Sequence, residues 1–219
     1  MKKSLRYIPV FHCRWLTPWY DPIMRRLYPE DALKAALIAQ AHIQSGQNIL
    51  DMGCGTGTLT LMIKYTQPNV AVYGLDVDHQ VLDIARRKAE QAGETIVLQQ
   101  GTATYLPYLD GTFERVFASL MLHHLTREDK RLAIRKAFRV LKPGGELHVA
   151  DFCKPHDLSM WLISLVVRWL EEVHDNILGL LPVFMAEAGF CPVEETVRYR
   201  TVSGNLALYQ ACKPTGEVL

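Results

Sequence analysis

The stretch Asn48-Ile49-Leu50-Asp51-Met52-Gly53-Cys54-Gly55-Thr56-Gly57 decides the fold, because an apolar run of strand type ends there in an acid and a glycine-rich turn. Glycines at positions 53, 55 and 57 remove Cβ atoms where the chain must turn sharply, so backbone N–H groups can approach a ligand closely. Asp51 adds a carboxyl group at the mouth of this turn. The segment therefore predicts a binding site for a small polar ligand at the end of a buried strand.

The spacing around this turn narrows the class of ligand, because G-x-G turns serve nicotinamide, flavin and sulfonium cofactors alike. A dinucleotide fingerprint that starts at Gly53 requires a glycine at position 58, where this chain has Thr58. A second strand-like run ends at Asp76, and an acid about 20 residues beyond the glycine turn can accept hydrogen bonds from ribose hydroxyls. Asp78 is better explained as the cap of the next helix.

Strand-like and helix-like runs alternate along the chain, which predicts an α/β fold of a single doubly wound (Rossmann-like) domain with a mostly parallel central sheet. At its C-terminal end two alternating runs predict an antiparallel hairpin. We expect the domain to cover residues 30–219, preceded by an N-terminal segment at 1–29. The predicted helices cover residues 30–43, 58–65, 80–92, 127–140 and 158–176, with a shorter one ending at Gly189; the predicted strands cover 49–51, 70–76, 96–99, 116–119, 146–151, 193–199 and 205–212.

Composition limits the possible functions. The 219 residues carry a formal net charge of +1, which gives no general attraction to nucleic acid. The five cysteines are odd in number and lack C-x-x-C pairing, so neither a zinc site nor a disulfide framework is expected, and no metal is predicted. We find no secretion signal, and the longest apolar stretch, residues 158–170, is too short to span a bilayer. A cytoplasmic protein is expected.

Five segments together resemble the class I S-adenosylmethionine-dependent methyltransferases. They match the patterns D-x-G-x-G-x-G, G-D-A-x-x-L-P, F-D-x-V, L-H-H and R-V-L-K-P-G-G, and they begin here at Asp51, Gly101, Phe113, Leu122 and Arg139. The pattern is closest to the small-molecule type that includes ubiquinone and menaquinone biosynthesis C-methyltransferases. A nucleic-acid methyltransferase of this fold would show N/D-P-P-Y after strand four, where this chain has Ser119-Leu120-Met121-Leu122.

The resemblance implies S-adenosylmethionine as cofactor, S-adenosylhomocysteine as product, and methyl transfer to a small, apolar or aromatic molecule by in-line displacement. The alternative is a non-catalytic protein that binds S-adenosylmethionine as an effector or structural ligand. Thr102 stands where the family has an acid, so a neutral hydrogen bond would replace a charge-assisted one. The expected cofactor-binding residues are Tyr20, Asp51, Gly53, Cys54, Gly55, Asp76, Val77, Thr102, Ala103 and Ser119.

His123 and His124 are the predicted catalytic residues, because imidazole titrates near neutral pH and both follow strand four at the ligand-binding edge of the sheet. Their alternative role is to bond backbone at the start of the next helix. Asp151, at the end of strand five, is expected either to cap a loop or to act in catalysis.

Two further regions bear on the methyl acceptor, and a third bears on contact with a membrane. Residues 158–175 carry a wide apolar face that either packs on the sheet or also lines a pocket for a large apolar substrate, with Asp175 on the opposite polar stripe. The resemblance implies that the segment 1–29, with its Tyr20-Asp21 pair, is a lid over the cofactor or a substrate segment. The alternative is that Trp15 and Trp19 are only a hydrophobic anchor for this segment. A basic cluster in and after the helix over residues 127–140 either meets an anionic membrane together with Lys2, Lys3 and Arg6 or forms a solvated helix face. The acceptor atom and the oligomeric state stay open.

Overall fold

The structure is a computed structural model that describes residues 30–155, 173–201 and 204–216. The predicted lid segment 1–29, which contains Trp15, Trp19 and Tyr20, lies outside the described residues. So does most of the predicted helix over residues 158–176.

Within the described residues, seven strands form one sheet, which confirms the predicted doubly wound α/β fold. Numbered along the chain as β1 to β7, they lie in the order β3-β2-β1-β4-β5-β7-β6. Strands β1 to β5 run parallel to one another, and β7 lies antiparallel between β5 and β6 as the predicted closing hairpin. The strands are β1 Asn48–Met52, β2 Ala71–Asp76, β3 Val97–Gln100, β4 Phe113–Ser119, β5 Leu141–Phe152, β6 Val193–Thr201 and β7 Gly204–Cys212. The helices are α1 Glu30–Gln40, α2 Thr58–Thr66, α3 His79–Ala92, α4 Arg127–Val140, α5 His174–Ile177 and α6 Leu181–Glu187.

The strands contribute to two hydrophobic cores because successive side chains point to opposite faces of the sheet. In β4, Val116 and Ala118 belong to one core, and Phe117 belongs to the other. The first core also holds Ile134 of α4, and the second holds Leu37 of α1. Helices therefore cover both faces, which explains why the strands of this sheet read as nearly continuous apolar runs.

The helix bounds follow local sequence signals closely. Helix α4 spans the predicted residues 127–140, and the Thr126 hydroxyl oxygen accepts a hydrogen bond from the Asp129 N–H. The predicted cap at Asp78 is confirmed, since its carboxylate accepts the Gln80 N–H at 2.8 Å. Helix α1 ends at Gln40 rather than near residue 43, because His42 has a left-handed φ of 44° that an α-helix cannot continue.

Strand β5 begins earlier than predicted. It starts at Leu141, directly after α4, rather than at residue 146, and therefore includes Pro143-Gly144-Gly145. The pairing with β4 shifts between Phe113↔Leu141 and Arg115↔Glu146, so these residues form an irregularity within the strand. A Cβ on Gly145 would lie 2.9 Å from the Lys142 carbonyl oxygen, which explains the need for glycine here.

The basic cluster on α4 is not a uniformly solvated face, and this corrects the sequence-based expectation. Arg127 bonds Asp175 of α5, Arg131 lies 2.9 Å from Glu187, and Arg139 lies 2.6 Å from Asp110. Lys130 is fully buried, with its ammonium nitrogen 3.8 Å from the Asp175 carboxylate. Asp175 is itself buried, and the other residues of its predicted stripe lie outside the described residues. These ion pairs join α4 to α5, to α6 and to the loop that contains Asp110.

Close packing of α2 against α3 depends on Gly57. This residue caps α2 with a φ of 75°, and an added Cβ would lie 2.8 Å from the Ala85 Cβ of α3. Gly93, which caps the C-terminus of α3 at a φ of 67°, has nothing within 4 Å of the same position. The two glycines share a left-handed backbone and differ in the space around them.

We predict that Gly57→Ala lowers the free energy of unfolding by about 2–4 kcal/mol, since left-handed strain and a core clash add, whereas Gly93→Ala costs about 1 kcal/mol from strain alone. Urea unfolding of both variants at equal pH measures the difference. Equal losses would contradict the steric contact between α2 and α3.

Candidate active site

The predicted site residues within the described part of the chain gather at the carboxyl edge of the parallel strands. Strand β1 lies between β2 and β4, so the chain leaves β1 toward one side of the sheet and later returns to the other. Ligands of open α/β sheets bind in the crevice at such a switch point.

The glycine turn is hydrogen-bonded to the end of β2. The N–H groups of Gly53 and Cys54 both donate to the Leu75 carbonyl, at 2.7 and 3.0 Å. Gly53 has a φ of 77°, and an added Cβ there would lie 2.9 Å from the Met121 side chain. Gly55 also has a left-handed φ, of 52°, but a Cβ there would meet nothing within 4 Å. The middle of the turn therefore faces open space.

Asp76 links this turn to the end of β2. Its Oδ2 accepts the Gly55 N–H at 2.9 Å, and its Oδ1 accepts the Asp78 N–H at 3.0 Å. Burial raises the pKa of this carboxyl group, and the two N–H donors oppose that rise. Because each carboxylate oxygen has about two acceptor positions, both oxygens of Asp76 can accept a further hydrogen bond.

Asp51 lies behind the turn and is almost completely buried. Its Oδ2 accepts the Thr60 hydroxyl of α2 at 2.7 Å. Burial raises the pKa of Asp51 to about 6, against the lowering effects of the Thr60 bond and of Lys34. A cation brought to this position would favour the ionised carboxylate.

Residues after β2 and β3 border the crevice. Val77 is partly exposed, and its carbonyl accepts a hydrogen bond from the Gln100 side chain. The Thr102 hydroxyl lies 3.0 Å from that of Thr104 and accepts the Thr104 N–H at 3.3 Å. These local hydrogen bonds therefore occupy part of the hydrogen-bond acceptor capacity of the Thr102 hydroxyl, which was expected to be available to the cofactor. Ala103 is buried beside them.

The end of β4 places a buried hydroxyl at the crevice. The Ser119 Oγ has no hydrogen-bond partner within the described part of the chain. Leu120 follows with a φ of 51°, a strained conformation for a side chain of its size, and its N–H donates to the Ala150 carbonyl of β5.

The two histidines occupy different environments in the short 3₁₀ turn Leu122–His124 after β4. His123 is buried, and its Nδ1 lies 2.8 Å from the Asp151 Oδ1 at the end of β5. The His124 ring lies beside it, with 4.0 Å between the two ring centroids. The His124 N–H bonds the Met121 carbonyl.

Three residues that sequence reasoning did not single out complete this arrangement. Thr60 bonds Asp51, Met121 covers Gly53, and Asn176 of α5 donates its side-chain N–H to the Asp151 Oδ1 at 3.0 Å. The i, i+9 spacing of Asp51 and Thr60 is a weak local signal, whereas nothing in the sequence links Asn176 to Asp151. The predicted cofactor residue Tyr20 lies outside the residues that the structure describes.

In the described part of the chain, no group of three or more His, Cys, Asp or Glu side chains is arranged to hold a metal ion.

Comparison with known proteins identifies the class. A family profile described as a methyltransferase domain matches residues 49–145. The ubiquinone/menaquinone biosynthesis C-methyltransferase UbiE of Vibrio cholerae is 38% identical over 192 residues, covering 77% of this chain and 72% of that protein. A demethylmenaquinone methyltransferase of Symbiobacterium thermophilum is 36% identical over 69% of this chain and 59% of its own length.

The fold is shared with solved structures. Phosphoethanolamine N-methyltransferase 2 of Haemonchus contortus, in complex with S-adenosyl-L-methionine, superimposes with a TM-score of 0.68 at 16% identity, over 83% of this chain and 52% of that one. This chain therefore has the fold of the Rossmann-like methyltransferases. The chain belongs to the family of the UbiE and demethylmenaquinone methyltransferases.

The chain spans between 50% and 59% of the length of several of these relatives. Among the described residues, no helix has the length and apolar character needed to cross a membrane.

The buried Asp51 generates a prediction for the protein without cofactor. A carboxyl group whose pKa is about 6 when folded and 3.8 when unfolded supports folding below pH 4 and loses this contribution as the pH rises through about 6. The Asp51→Asn variant lacks this titration. We expect its stability relative to wild type to improve by about 2–3 kcal/mol between pH 4 and pH 7.5.

Urea unfolding of wild type and Asp51→Asn across this pH range measures the difference in their free energies of unfolding. The change of this difference with pH, rather than its absolute size, tests the prediction. Asp83→Asn, at an exposed carboxylate of α3, is the matched control and should show little pH dependence relative to wild type. A stability difference between Asp51→Asn and wild type that stays constant with pH would contradict the assignment.

Proposed function

We propose that this chain transfers a methyl group from S-adenosylmethionine to a small aromatic acceptor, and that the acceptor is a quinol methylated at a ring carbon. The main structural support is the pairing of an open glycine turn at Gly55 with a carboxylate, Asp76, at the end of the neighbouring strand. The names of the relatives support the acceptor class, since they act in ubiquinone and menaquinone biosynthesis or on demethylmenaquinone.

The residues present fit S-adenosylmethionine in three respects. Asp76 retains acceptor positions for two ribose hydroxyls. Gly55 leaves open space over a backbone that a ligand can approach. The buried Ser119 hydroxyl has no partner among described residues and can bond a polar group of the ligand. We infer that the cofactor lies along Asp51, Gly53, Cys54, Gly55, Asp76, Val77, Thr102, Ala103 and Ser119, with Tyr20 from the N-terminal segment.

When bound, S-adenosylmethionine supplies a methyl group already activated as a sulfonium, so the protein needs little covalent machinery. Asp76 and the glycine turn hold and orient the nucleoside. His123 takes the hydroxyl proton of the quinol, which makes the ring carbon electron-rich enough to attack. Methylation at that carbon gives a dienone, whose ring hydrogen leaves as a proton to water so that the ring becomes aromatic again as a phenolate. The His123 imidazolium then returns its proton to the phenolate oxygen.

Several aspects of the cellular setting belong to the same proposal. Cys54, Cys153, Cys191 and Cys212 are all free thiols, which supports a reducing cytoplasm. Segment 1–29 is proposed as a lid or substrate segment over the site. Pairing of the α4 cations with acids leaves less basic surface for an anionic membrane or for nucleic acid. We therefore propose a small-molecule acceptor and no nucleic-acid partner.

The decisive experiment incubates the full chain with S-adenosylmethionine and demethylmenaquinone reduced by dithionite in detergent. We expect formation of S-adenosylhomocysteine and a product heavier by one methylene unit, with oxidised demethylmenaquinone as the unreactive control. Tight cofactor binding by calorimetry with no turnover on a panel of quinols, phenols and amines would instead support the non-catalytic alternative.

We predict that Asp76→Ala weakens S-adenosylmethionine binding about 5- to 150-fold, corresponding to about 1–3 kcal/mol for lost hydrogen-bond partners. Asp78→Ala is the matched control two residues away, because Asp78 caps α3 and its loss costs about 1 kcal/mol of stability with cofactor affinity unchanged. Calorimetric titration and urea unfolding separate the two effects. Equal cofactor affinity in Asp76→Ala and wild type would exclude the ribose role.

A further inference from the structure

The carboxylate of Asp151 is surrounded by hydrogen-bond donors at the end of β5. Its Oδ2 accepts the N–H groups of Leu122 and His123, at 2.9 and 3.3 Å. Its Oδ1 accepts the N–H of Phe152 at 2.7 Å and the side-chain N–H of Asn176 at 3.0 Å. The fifth neighbour is the His123 Nδ1, 2.8 Å from Oδ1.

This set of partners defines the protonation state of Asp151. Backbone N–H groups and an amide nitrogen can only donate, so both carboxylate oxygens must accept, as in the ionised form. Burial alone would raise the pKa of Asp151, but the charge and hydrogen bond of His123 and the Phe152 N–H hold it below its ordinary value. Asp151 therefore stays ionised although it is fully buried.

An ionised Asp151 also decides the tautomer of His123. Because the carboxylate can only accept, the His123 Nδ1 must carry the proton that lies between the two groups. In neutral His123 the lone pair is then on Nε2. The edge of the Phe152 ring packs on the imidazole, with 5.0 Å between centroids and an interplanar angle of 90°, and restricts its rotation.

We propose that Asp151, supported by Asn176, is a positioning residue that holds His123 as the Nδ1–H tautomer, so that Nε2 removes the acceptor's hydroxyl proton. This inference rests on the proposed methyl transfer to a quinol. It assigns different roles to the two histidines: His123 is the base, and His124 is its neighbour in the turn. In the step itself, the hydroxyl proton moves to Nε2, and the resulting imidazolium is stabilised by the Asp151 charge.

Among the described residues, the other titratable groups that act on Asp151 or are affected by it are His124 in the same turn, Cys153 at the end of β5, and Tyr209 of β7. Burial raises the pKa of Cys153 to about 11 and raises that of Tyr209 still further. These two groups stay neutral between pH 5 and 9. His124 is the group whose titration must be separated from that of His123.

The test combines spectroscopy and kinetics on the full chain. Nitrogen-15 correlation spectra of the histidine-labelled protein, without acceptor, report the tautomer of each ring. We expect the Nδ1–H form for His123 in wild type and its loss in Asp151→Asn. With reduced demethylmenaquinone as acceptor, His123→Gln and Asp151→Asn should each lower kcat by about 100-fold or more, the usual range for general base catalysis.

Three further readouts distinguish positioning from a merely structural role. Cofactor affinity should stay within about threefold of wild type, since Asp151 acts after cofactor binding. The double variant His123→Gln/Asp151→Asn should lose little more activity than either single variant, because the two residues act as a unit. In Asp151→Asn the acidic limb of the pH profile of kcat should move to lower pH, since the imidazolium loses its counter-charge.

His174→Gln, at an exposed histidine of α5, is the matched control and should retain kcat within a few fold. If Asp151→Asn does not fold, Asn176→Ala replaces it, and we expect a smaller loss of kcat. An Nε2–H tautomer of His123 in wild type would overturn the proposal, as would full activity of His123→Gln.

Failure of the proposed function gives a different result. If wild-type protein binds cofactor but methylates none of the acceptors, the role of His123 as a base falls with the activity. The tautomer measurement still decides whether Asp151 holds the ring as inferred.

Discussion

The Leu75 carbonyl oxygen, which accepts two N–H groups from the glycine turn, is the contact on which the site depends. One acceptor bonds both Gly53 and Cys54, so the chain leaving β1 is bound to the end of β2 before it enters α2. This geometry requires a left-handed φ at Gly53 and leaves no room for a side chain beneath Met121. The Gly55 N–H then reaches Asp76, and the two strand ends form a single ligand-binding edge.

Three acids end or nearly end parallel strands at this edge, and their surroundings give them different properties. Asp51 is bonded by one hydroxyl, and burial raises its pKa to about 6. Asp76 accepts two N–H groups and keeps acceptor capacity for a ligand. Asp151 accepts N–H groups at both oxygens, and its pKa is lowered despite complete burial. Asp51 and Asp151 are equally buried, so the charges and hydrogen bonds around each carboxylate, and not its depth, set the direction of its pKa shift.

Fold and chemistry have separate support in this protein. The structural neighbour described above is only 16% identical, so it establishes the architecture alone. Family membership comes from relatives with 36–38% identity over most of the chain. The proposed acceptor class is inferred from the names of these relatives.

Features that depend on neighbours along the chain can be read from the sequence. These are the spacing of the glycines with Asp51 and Asp76, the bounds of α4, the cap at Asp78 and the alternation that makes an α/β sheet. Tertiary packing, by contrast, brings His123 and not His124 into hydrogen-bond contact with Asp151 and places Asn176 and the buried Asp175 in the same region. The reason is physical: turns, caps and periodicity arise from bonds within a few residues, whereas these side chains meet because β5 lies beside β4 and α5 packs at their ends.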